Sequence, residues 1–337
     1  MSGDIPRILI VRFSSIGDIL LTTPLVRVLR ARHPAARITY VVRADMADTL
    51  RHNPRLTELV PWDRSTPLSA LADRLRETDW THRLDLHGSM RSLALRQLVG
   101  GKWSGFPKHR LRRSLLIRTG RRRGGHLGHV AVRYFAAAAG LDVEPDGQGA
   151  EFFFPTQAQQ RADEFLTHHG LGQARTLVAI APGAAHATKR WPLGHWEALV
   201  RRARSTSDIV VVGGPGEESL GEALVEAGGG AVANAAGRFD LMGTAALLKR
   251  ARVMAGGDTG VMHLATAIGT PVVALYGPSV EEFGYFPYQA RGVVLQKDLG
   301  CRPCSSHGGP RCPLGHHRCM VDILPETVAA SLVAAPR

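Results

Sequence analysis

The residues whose types and spacing could support chemistry lie in four turns, each of which follows a short apolar run. The first turn, SSIGD, ends in Asp18, whose carboxylate could serve as a general base. An acid at a helix start also stabilises the helix without any ligand, so a capping role for Asp18 stays open. The second turn, APGAAHATKRWP, carries Lys189, which could neutralise a phosphate or belong to a solvated surface loop.

The third turn, GGPGEE at residues 213–218, combines glycines with two acids. Glycine lets a ligand approach the backbone closely. Glu217 or Glu218 could accept hydrogen bonds from the hydroxyl groups of a ribose, although acids are also common at helix starts without a ligand.

The fourth turn, GGDTGVMHLA at residues 256–265, has the composition of an anion site. The backbone N–H groups of Thr259 and Gly260 would be exposed at a helix N-terminus, where they favour negative charge. His263 lies on the first turn of the same helix. A capping role would account for Asp258, but it would not explain why Thr259, Gly260 and His263 accompany it.

These turns require a scaffold of alternating strands and helices. Short β-rich runs lie at residues 7–13, 38–42, 57–61 and 83–86, and further runs lie at 176–183, 208–214, 252–257 and 271–277. In each group, helical segments separate the runs. Such alternation predicts parallel sheets of the α/β class, in which ligands bind at the carboxyl ends of the strands.

The pattern is interrupted after Gly140 by the Gly/Pro/Asp-rich stretch LDVEPDGQGAEFFFP. We therefore predict one domain over residues 1–150 and a second domain over residues 151–325. A helix over 326–337 is expected to pack back on the first domain. Two domains also suit a chain of 337 residues, because single cores stop growing near roughly 250–300 residues.

The composition narrows the function classes further. The formal charge of +13 indicates a polyanionic partner, and the segment Leu86–Leu141 carries 12 Lys/Arg residues and no acid. A nucleic-acid-binding protein is thus one hypothesis, but no helix-turn-helix, RRM or zinc-finger pattern is present. The first turn has one glycine, which argues against the G-x-G-x-x-G of a nicotinamide dehydrogenase, and a P-loop is absent.

Over nearly the whole chain the sequence resembles the heptosyltransferases of glycosyltransferase family 9. The resemblance is carried by VRFSSIGDILLTTPLVRVLR, LDLHGSMRS, APGAAHATKRWP, GGDTGVMHLATAIGTPVVALYGPS and CPLGHHRCM. It implies a GT-B fold, in which two Rossmann-like, doubly wound domains face a central cleft. The domain over residues 1–150 would then bind the acceptor, and the domain over residues 151–325, with its Cys-rich segment 301–319, would bind the nucleotide sugar. It also implies an inverting transfer of heptose from ADP-L-glycero-D-manno-heptose to the Kdo/heptose inner core of lipopolysaccharide.

The resemblance assigns roles at the matching positions of this chain. Asp18 matches the catalytic base, and Lys189 matches the lysine on the donor phosphates, with a part in catalysis. The expected donor-binding residues are Lys189, Glu217, Asp258, Thr259, Gly260 and His263. Glu217 matches only loosely, since Glu218 could take its place. No cofactor is expected for catalysis, because the protein supplies the positive charge at the leaving phosphate.

The acceptor implied by the resemblance is an anionic glycolipid, Kdo-lipid A or its heptosylated form. The acid-free segment should provide its contacts, with Arg91, Lys108, Arg110, Arg112 and Arg113 as candidates for acceptor carboxylates and phosphates. The absence of a signal peptide or a long apolar run predicts a cytoplasmic protein that makes peripheral contact with the inner membrane. Another nucleotide-sugar transferase of the same fold remains an alternative, and nucleic acid is not an expected partner.

The cysteines form a separate motif, C-x2-C-x7-C-x6-C, made by Cys301, Cys304, Cys312 and Cys319. Four thiols within 19 residues could hold a structural zinc ion, or an iron–sulfur cluster. Reduced thiols in a loop are the alternative in a reducing compartment.

Overall fold

The structure is a computed structural model that describes residues 5–120 and 127–336. The chain divides into two units, one formed by residues 1–108 and 130–153 and the other by residues 109–129 and 154–337. Within the described residues both units are α/β, as the sequence predicts. No helix in this described part of the chain combines the length and hydrophobicity needed to cross a membrane.

The elements are numbered along the chain. The strands are β1 (Arg7–Val11), β2 (Arg37–Arg43), β3 (Glu58–Trp62), β4 (His82–Asp85), β5 (Ser104–Gly105), β6 (Thr176–Ala181), β7 (Ser207–Val211), β8 (Val232–Asn234), β9 (Val253–Gly257), β10 (Val272–Tyr276) and β11 (Gly292–Gln296). The α-helices are α1 (Ile16–Leu20), α2 (Thr23–Arg32), α3 (Leu68–Arg76), α4 (Met90–Val99), α5 (Arg110–Thr119), α6 (Val130–Arg133), α7 (Thr156–His168), α8 (Leu193–Ala203), α9 (Glu218–Gly228), α10 (Leu241–Arg250), α11 (Gly260–Ala267), α12 (Arg318–Val321) and α13 (Pro325–Ala334). Short 3-10 helices follow β2 and α6, over Ala44–Thr49 and Tyr134–Leu141.

The sheet of the first unit is parallel, with the order β3-β2-β1-β4-β5 among the described strands. Its central strand β1 is buried on both faces, as the continuous apolar run predicts. The strand pairs with β2 on one side and with β4 on the other, so that Val11 lies between Val41 and Asp85. The turns after β1 and β4 therefore lie side by side at the carboxyl edge of this sheet.

The sheet of the second unit is also parallel, with the order β11-β10-β9-β6-β7-β8. The carboxyl ends of β6 and β9 are adjacent, since Ala181 pairs with Gly256. This register brings the turn that carries Lys189 next to the turn that begins at Asp258. On one face of the sheet, Trp191 and Trp196 pack together at 4.8 Å between ring centroids within the core of this unit.

Two parts of the chain lie in a different place from the sequence prediction. Residues 109–129, which we expected in the first domain, belong to the second unit. The final helix α13, which we expected to return to the first domain, contributes Val328 and Leu332 to the core of the second unit. In both cases the deciding contacts are between distant parts of the chain, which local patterns do not encode.

The helical residues that follow β1 form two helices, α1 and α2, rather than one. Proline at the start of α2 has no N–H group, so the helical hydrogen-bond ladder cannot run through Pro24. The hydroxyl groups of Thr22 and Thr23 instead donate to the carbonyl oxygens of Ile19 and Leu20, each at 2.7 Å. The break leaves α1 as a short helix, which contains Asp18.

Arg27, on α2, anchors the end of the first unit. Its side chain is 10% exposed and lies 2.8 Å from Asp146 and 3.4 Å from Glu151. The guanidinium group also donates to the carbonyl oxygen of Gly149 at 2.9 Å. The hydrogen bond from Arg27 is the main cause that lowers the pKa of Asp146 below its usual range.

Replacing this arginine should destabilise the first unit in a pH-dependent way. We expect Arg27→Met to lower the free energy of unfolding by roughly 2–3 kcal/mol at pH 7, because partly buried carboxylates lose their hydrogen-bonded cation. A depressed pKa stabilises the fold at pH values above the ordinary aspartate pKa. This stabilisation disappears as the pH falls through the depressed value. Urea unfolding should therefore show a smaller difference from the wild type near pH 2.

The matched control is Arg32→Met on the same helix, since Arg32 is 57% exposed and its partner Asp142 is 83% exposed. That change should cost about 0–1 kcal/mol at either pH. Equal losses from the two substitutions would contradict the anchoring role of Arg27.

Candidate active site

Asp18 is held in one orientation at the carboxyl edge of the first sheet. Its Oδ2 atom accepts hydrogen bonds from the hydroxyl of Ser15 at 2.8 Å and from the Ser15 N–H at 3.3 Å. Its Oδ1 atom lies 2.6 Å from Nη2 of Arg12. The aspartate therefore does close a helix cap, and its side chain nevertheless remains 21% exposed. The capping and chemical roles of Asp18 are compatible.

Arg12 is a site residue that sequence reasoning missed. It follows β1 directly, and its buried guanidinium group donates to the carbonyl oxygens of Ser14 at 2.8 Å and Leu86 at 2.5 Å. The signal in the sequence was an arginine placed inside the apolar run RILIVRF, where an unpaired charge would be costly. Arg12 links the turn after β1 to the turn after β4 and supports the carboxylate of Asp18.

The turn after β4 brings a histidine and a lysine to the same edge. Lys108 donates from Nζ to the carbonyl oxygen of His87 and, at 3.1 Å, to that of Gly88. Burial, with the charges of Arg12 and Lys108, lowers the pKa of His87 to about 4, and the charges of Asp18 and Asp85 oppose this shift. His87 is therefore neutral at physiological pH, although it lies beside carboxylates.

The five basic residues that we predicted to contact the acceptor are divided between the two units. Arg91 and Lys108 lie in the first unit, where Arg91 stacks 5.6 Å from the ring centroid of Trp62. Arg110, Arg112 and Arg113 lie on α5 of the second unit. Three other arginines of the acid-free segment, at 121–123, fall outside the described residues.

In the second unit, Lys189 and Asp258 form an ion pair. The ammonium group lies 2.6 Å from Oδ2 of Asp258 and donates to the backbone carbonyl of the same residue at 3.2 Å. Both side chains are mostly buried. The hydroxyl of Ser279 donates to the same Oδ2 atom at 2.9 Å, so Asp258 holds Lys189 at the carboxyl edge of the sheet.

The helix N-terminus predicted beside this pair is present. Thr259 is the N-cap of α11, and its hydroxyl accepts a hydrogen bond from the N–H of Met262 at 3.4 Å. Gly260 is the first residue of the helix, so its N–H group is among those without a partner inside the helix. His263 lies on the first turn as predicted, but its side chain is buried rather than presented at the surface.

The structure distinguishes the two acids of the third turn. The carboxylate of Glu217 accepts a hydrogen bond from the N–H of Gly214 at 3.0 Å and lies directly over Gly183 and Gly213, at the ends of β6 and β7. A Cβ atom at position 183 would fall 1.9 Å from Oε1 of Glu217. Glu218 instead accepts from the N–H of Gly216 and lies against Gly237. Glu217 is thus the acid that shares an edge with Lys189.

A second buried arginine, Arg302, supports the ion pair through Ser279. Its guanidinium group donates to backbone carbonyl oxygens on both sides, including Gly277 and, at 2.7 Å, Ser279. Because the hydroxyl of Ser279 holds Asp258, Arg302 fixes the residue on which the ion pair depends. Arg302 lies between Cys301 and Cys304 in the cysteine motif, and nothing in the sequence indicates that its side chain is buried.

The cysteine-rich segment braces the same turn. Gly309 and Thr188 exchange hydrogen bonds, from the Gly309 N–H to the Thr188 hydroxyl at 2.8 Å and from the Thr188 N–H to the Gly309 carbonyl at 3.1 Å. His317 Nε2 lies 2.9 Å from the Thr188 carbonyl oxygen. These contacts fix the residue that precedes Lys189.

The thiols line one cavity of about 360 Å³, together with His316 and the end of α5. Burial raises the pKa of Cys319 to about 11, and burial with the neighbouring thiols raises that of Cys304. Among the described residues, however, no three His, Cys, Asp or Glu side chains are arranged to hold a metal ion. The structural metal predicted at Cys301, Cys304, Cys312 and Cys319 therefore stays a prediction.

Each unit thus has a parallel sheet with charged turns at its carboxyl edge. Residues 68–312 match the model of glycosyltransferase family 9 (heptosyltransferase), and the chain belongs to this family. It is therefore a glycosyltransferase, as its sequence predicts.

Known relatives extend the similarity to most of the chain. Lipopolysaccharide heptosyltransferase 1 of Pseudomonas aeruginosa is 27% identical, over 88% of this chain and 86% of its own length. Lipopolysaccharide heptosyltransferase 2 of Escherichia coli K12 is 24% identical, over 97% of this chain and 98% of its own length. A family 9 glycosyl transferase structure from Veillonella parvula has a TM-score of 0.74 and 28% identity, and covers 88% of this chain and 87% of that one. The E. coli ADP-heptose heptosyltransferase II structure, with a TM-score of 0.73, 23% identity and coverage of 97% and 98%, shares the fold. The GT-B prediction is confirmed.

The electrostatics of the turn after β4 can be measured directly. His87 should titrate at about pH 4 in NMR spectra of the folded protein, and Lys108→Met should raise this pKa because one of the two nearby cations is removed. The unfolded chain takes up the same proton near pH 6.5. Lowering the pH across this window should therefore reduce the free energy of unfolding.

Lys102→Met is the matched control, because Lys102 is an exposed lysine of the same unit. It should leave the titration of His87 unchanged. An imidazole that titrates near pH 6.5 in the wild type would contradict the burial and charge described for His87.

Proposed function

We propose that this protein transfers L-glycero-D-manno-heptose from ADP-heptose to the Kdo/heptose inner core of lipopolysaccharide, with inversion at the anomeric carbon. The observation that carries the proposal is the Lys189–Asp258 ion pair at the N-terminus of α11 in a family 9 chain. A cation beside helix N–H groups would suit a diphosphate. The named relatives, which are lipopolysaccharide heptosyltransferases, support the choice of sugar and acceptor.

The second unit would bind the donor. The ammonium group of Lys189 and the N–H groups of Thr259 and Gly260 would face the phosphates, where helix N-termini favour negative charge. Glu217 would accept hydrogen bonds from the ribose hydroxyls. As the bond from the anomeric carbon to the phosphate oxygen breaks, negative charge develops on ADP, and these fixed donors stabilise it. This positive charge comes from the protein, so the proposal assigns no catalytic step to a cofactor.

Asp18 would act on the acceptor. Its carboxylate would take the proton from the attacking hydroxyl group while that oxygen forms its bond to the anomeric carbon on the face opposite to the leaving ADP. Arg12 and Ser15 orient the carboxylate for this transfer. His87 is neutral and adds no positive charge beside the base.

The acceptor that best suits these residues is an anionic glycolipid. Arg91 and Lys108 lie in the unit that carries Asp18, and Arg110 and Arg112 lie on α5, in the segment without acids. We assign these four residues to the carboxylates and phosphates of Kdo-lipid A or of its heptosylated form. Arg113, the fifth predicted residue, is engaged with aromatic rings of the second unit. The reaction would take place at the cytoplasmic face of the inner membrane.

A second candidate within the same family is the transfer of another nucleotide-linked sugar. The ribose contact proposed for Glu217 would not discriminate between the sugars that are transferred. A comparison of ADP-heptose with other ADP- and UDP-sugars, each tested for transfer to Kdo-lipid A with and without a first heptose, separates the two candidates.

The decisive variant is Asp18→Asn, which keeps the size of the side chain and one of its oxygens. We expect kcat to fall about 10²–10⁴-fold, because the base is lost, while binding of ADP remains close to the wild type. Asp79→Asn is the control, since Asp79 is an exposed acid of the same unit that also pairs with an arginine. Near-normal turnover by Asp18→Asn would remove Asp18 from the mechanism. A large drop in the melting temperature with unchanged kcat would leave it a capping role alone.

The structural metal at the cysteines remains a separate proposal. About one zinc or iron atom per purified chain, lost in Cys304→Ser, would support a site that forms after rearrangement of residues 301–319. A sub-stoichiometric content of both metals would establish free thiols.

A further inference from the structure

Helix α5 presents two leucines to solvent. Leu111 is 89% exposed and Leu115 is 60% exposed. They are one turn apart on the same face of the helix. None of the residues of α5 is buried. Two large apolar side chains on one exposed helical face call for a partner more than scattered surface leucines do.

The opposite face of α5 is fixed on the second unit, so the leucines cannot turn inward. The guanidinium group of Arg113 lies 4.8 Å from the ring centroid of Phe283 and 5.6 Å from that of Tyr285. It also donates to the carbonyl oxygen of Ser306 at 3.5 Å. At the end of the helix, Gly120 approaches the Gly300 carbonyl so closely that an added Cβ atom would lie 3.0 Å from it.

The charged residues of α5 itself are all basic. Arg110, Arg112 and Arg118 are exposed on the same helix, and the whole segment Leu86–Leu141 lacks acidic residues. A short helix with exposed leucines among arginines matches the surface of a bilayer that contains anionic lipids. Its apolar side chains enter the acyl region, and its cations remain at the headgroups. A second copy of the same face would be repelled by its arginines, and a nucleic acid would not bury the leucines.

We propose that the outward face of α5 docks this enzyme on an anionic phospholipid bilayer, with Leu111 and Leu115 inserted between the lipids and Arg118 at the headgroups. The inference goes beyond the proposed function, because it concerns the phospholipid surface rather than the sugar acceptor. It holds or fails independently of the sugar transferred.

The test uses the full-length protein and vesicles without any glycolipid. The wild type should sediment with phosphatidylglycerol–phosphatidylethanolamine vesicles and much less with phosphatidylcholine vesicles. The double variant Leu111→Gln/Leu115→Gln should bind the anionic vesicles at least about tenfold more weakly, because the inserted apolar area is lost. Its far-UV circular dichroism should match the wild type, since both positions are exposed.

The matched control is Val333→Gln, which replaces a 74% exposed apolar residue on α13 of the same unit, and should leave vesicle binding unchanged. Wild-type binding by the double variant would overturn the proposal, as would an equal loss from Val333→Gln, equal binding to neutral vesicles, or a wild-type dimer that the double variant dissociates. Transfer to a water-soluble Kdo oligosaccharide should be equal in all three proteins. Loss of that transfer with intact vesicle binding would refute the proposed function alone.

Discussion

The arrangement of the second unit depends on one contact, the ion pair between Lys189 and Asp258. A mostly buried lysine needs a partner for its charge, and the carboxylate of Asp258, 2.6 Å from the ammonium group, supplies that partner and fixes the position of the side chain. That carboxylate is in turn fixed by Ser279, and Ser279 by the buried guanidinium of Arg302. On the other side, Thr188 is tied to Gly309 and His317. The turns after β6, β9 and β10 and the cysteine-rich segment thus share one hydrogen-bonded support.

The first unit has a similar ion pair with the charges reversed, because here an acid is supported by a buried cation. There the functional group is an acid, Asp18, and the buried support is a cation, Arg12, which is itself held by backbone carbonyl oxygens of Ser14 and Leu86. In both units a buried arginine binds carbonyl oxygens of loops that follow neighbouring strands. Parallel sheets favour this solution, because they end several strands at one edge and leave their last carbonyl groups pointing into the turns.

The sequence was informative where structure is encoded locally. The apolar runs of β1, β7 and β9 are buried on both faces, and such runs are visible without any knowledge of the fold. The polar turns that follow them contain Asp18, Lys189 and Asp258, so the candidate site could be assembled from turns alone. Arg12, His87 and Arg302 were missed because their roles depend on which strands become neighbours. The position of α5 depends on the stacking of Arg113 on Phe283 and Tyr285, 170 or more residues away in the sequence.

The placement of α5 also bears on how such enzymes can be recombined. Residues 109–129 leave the first unit and complete the surface of the second, so the second unit is assembled from two separate pieces of chain. A chimaera joined near residue 150 would combine the α5 of one parent with the Phe283 and Tyr285 of the other. Exchange of the first unit between family members would therefore need three junctions, near residues 108, 130 and 153, so that each α5 stays with its own aromatic rings. Fragments that begin at residue 154 would expose those rings to water unless α5 were supplied as a separate peptide.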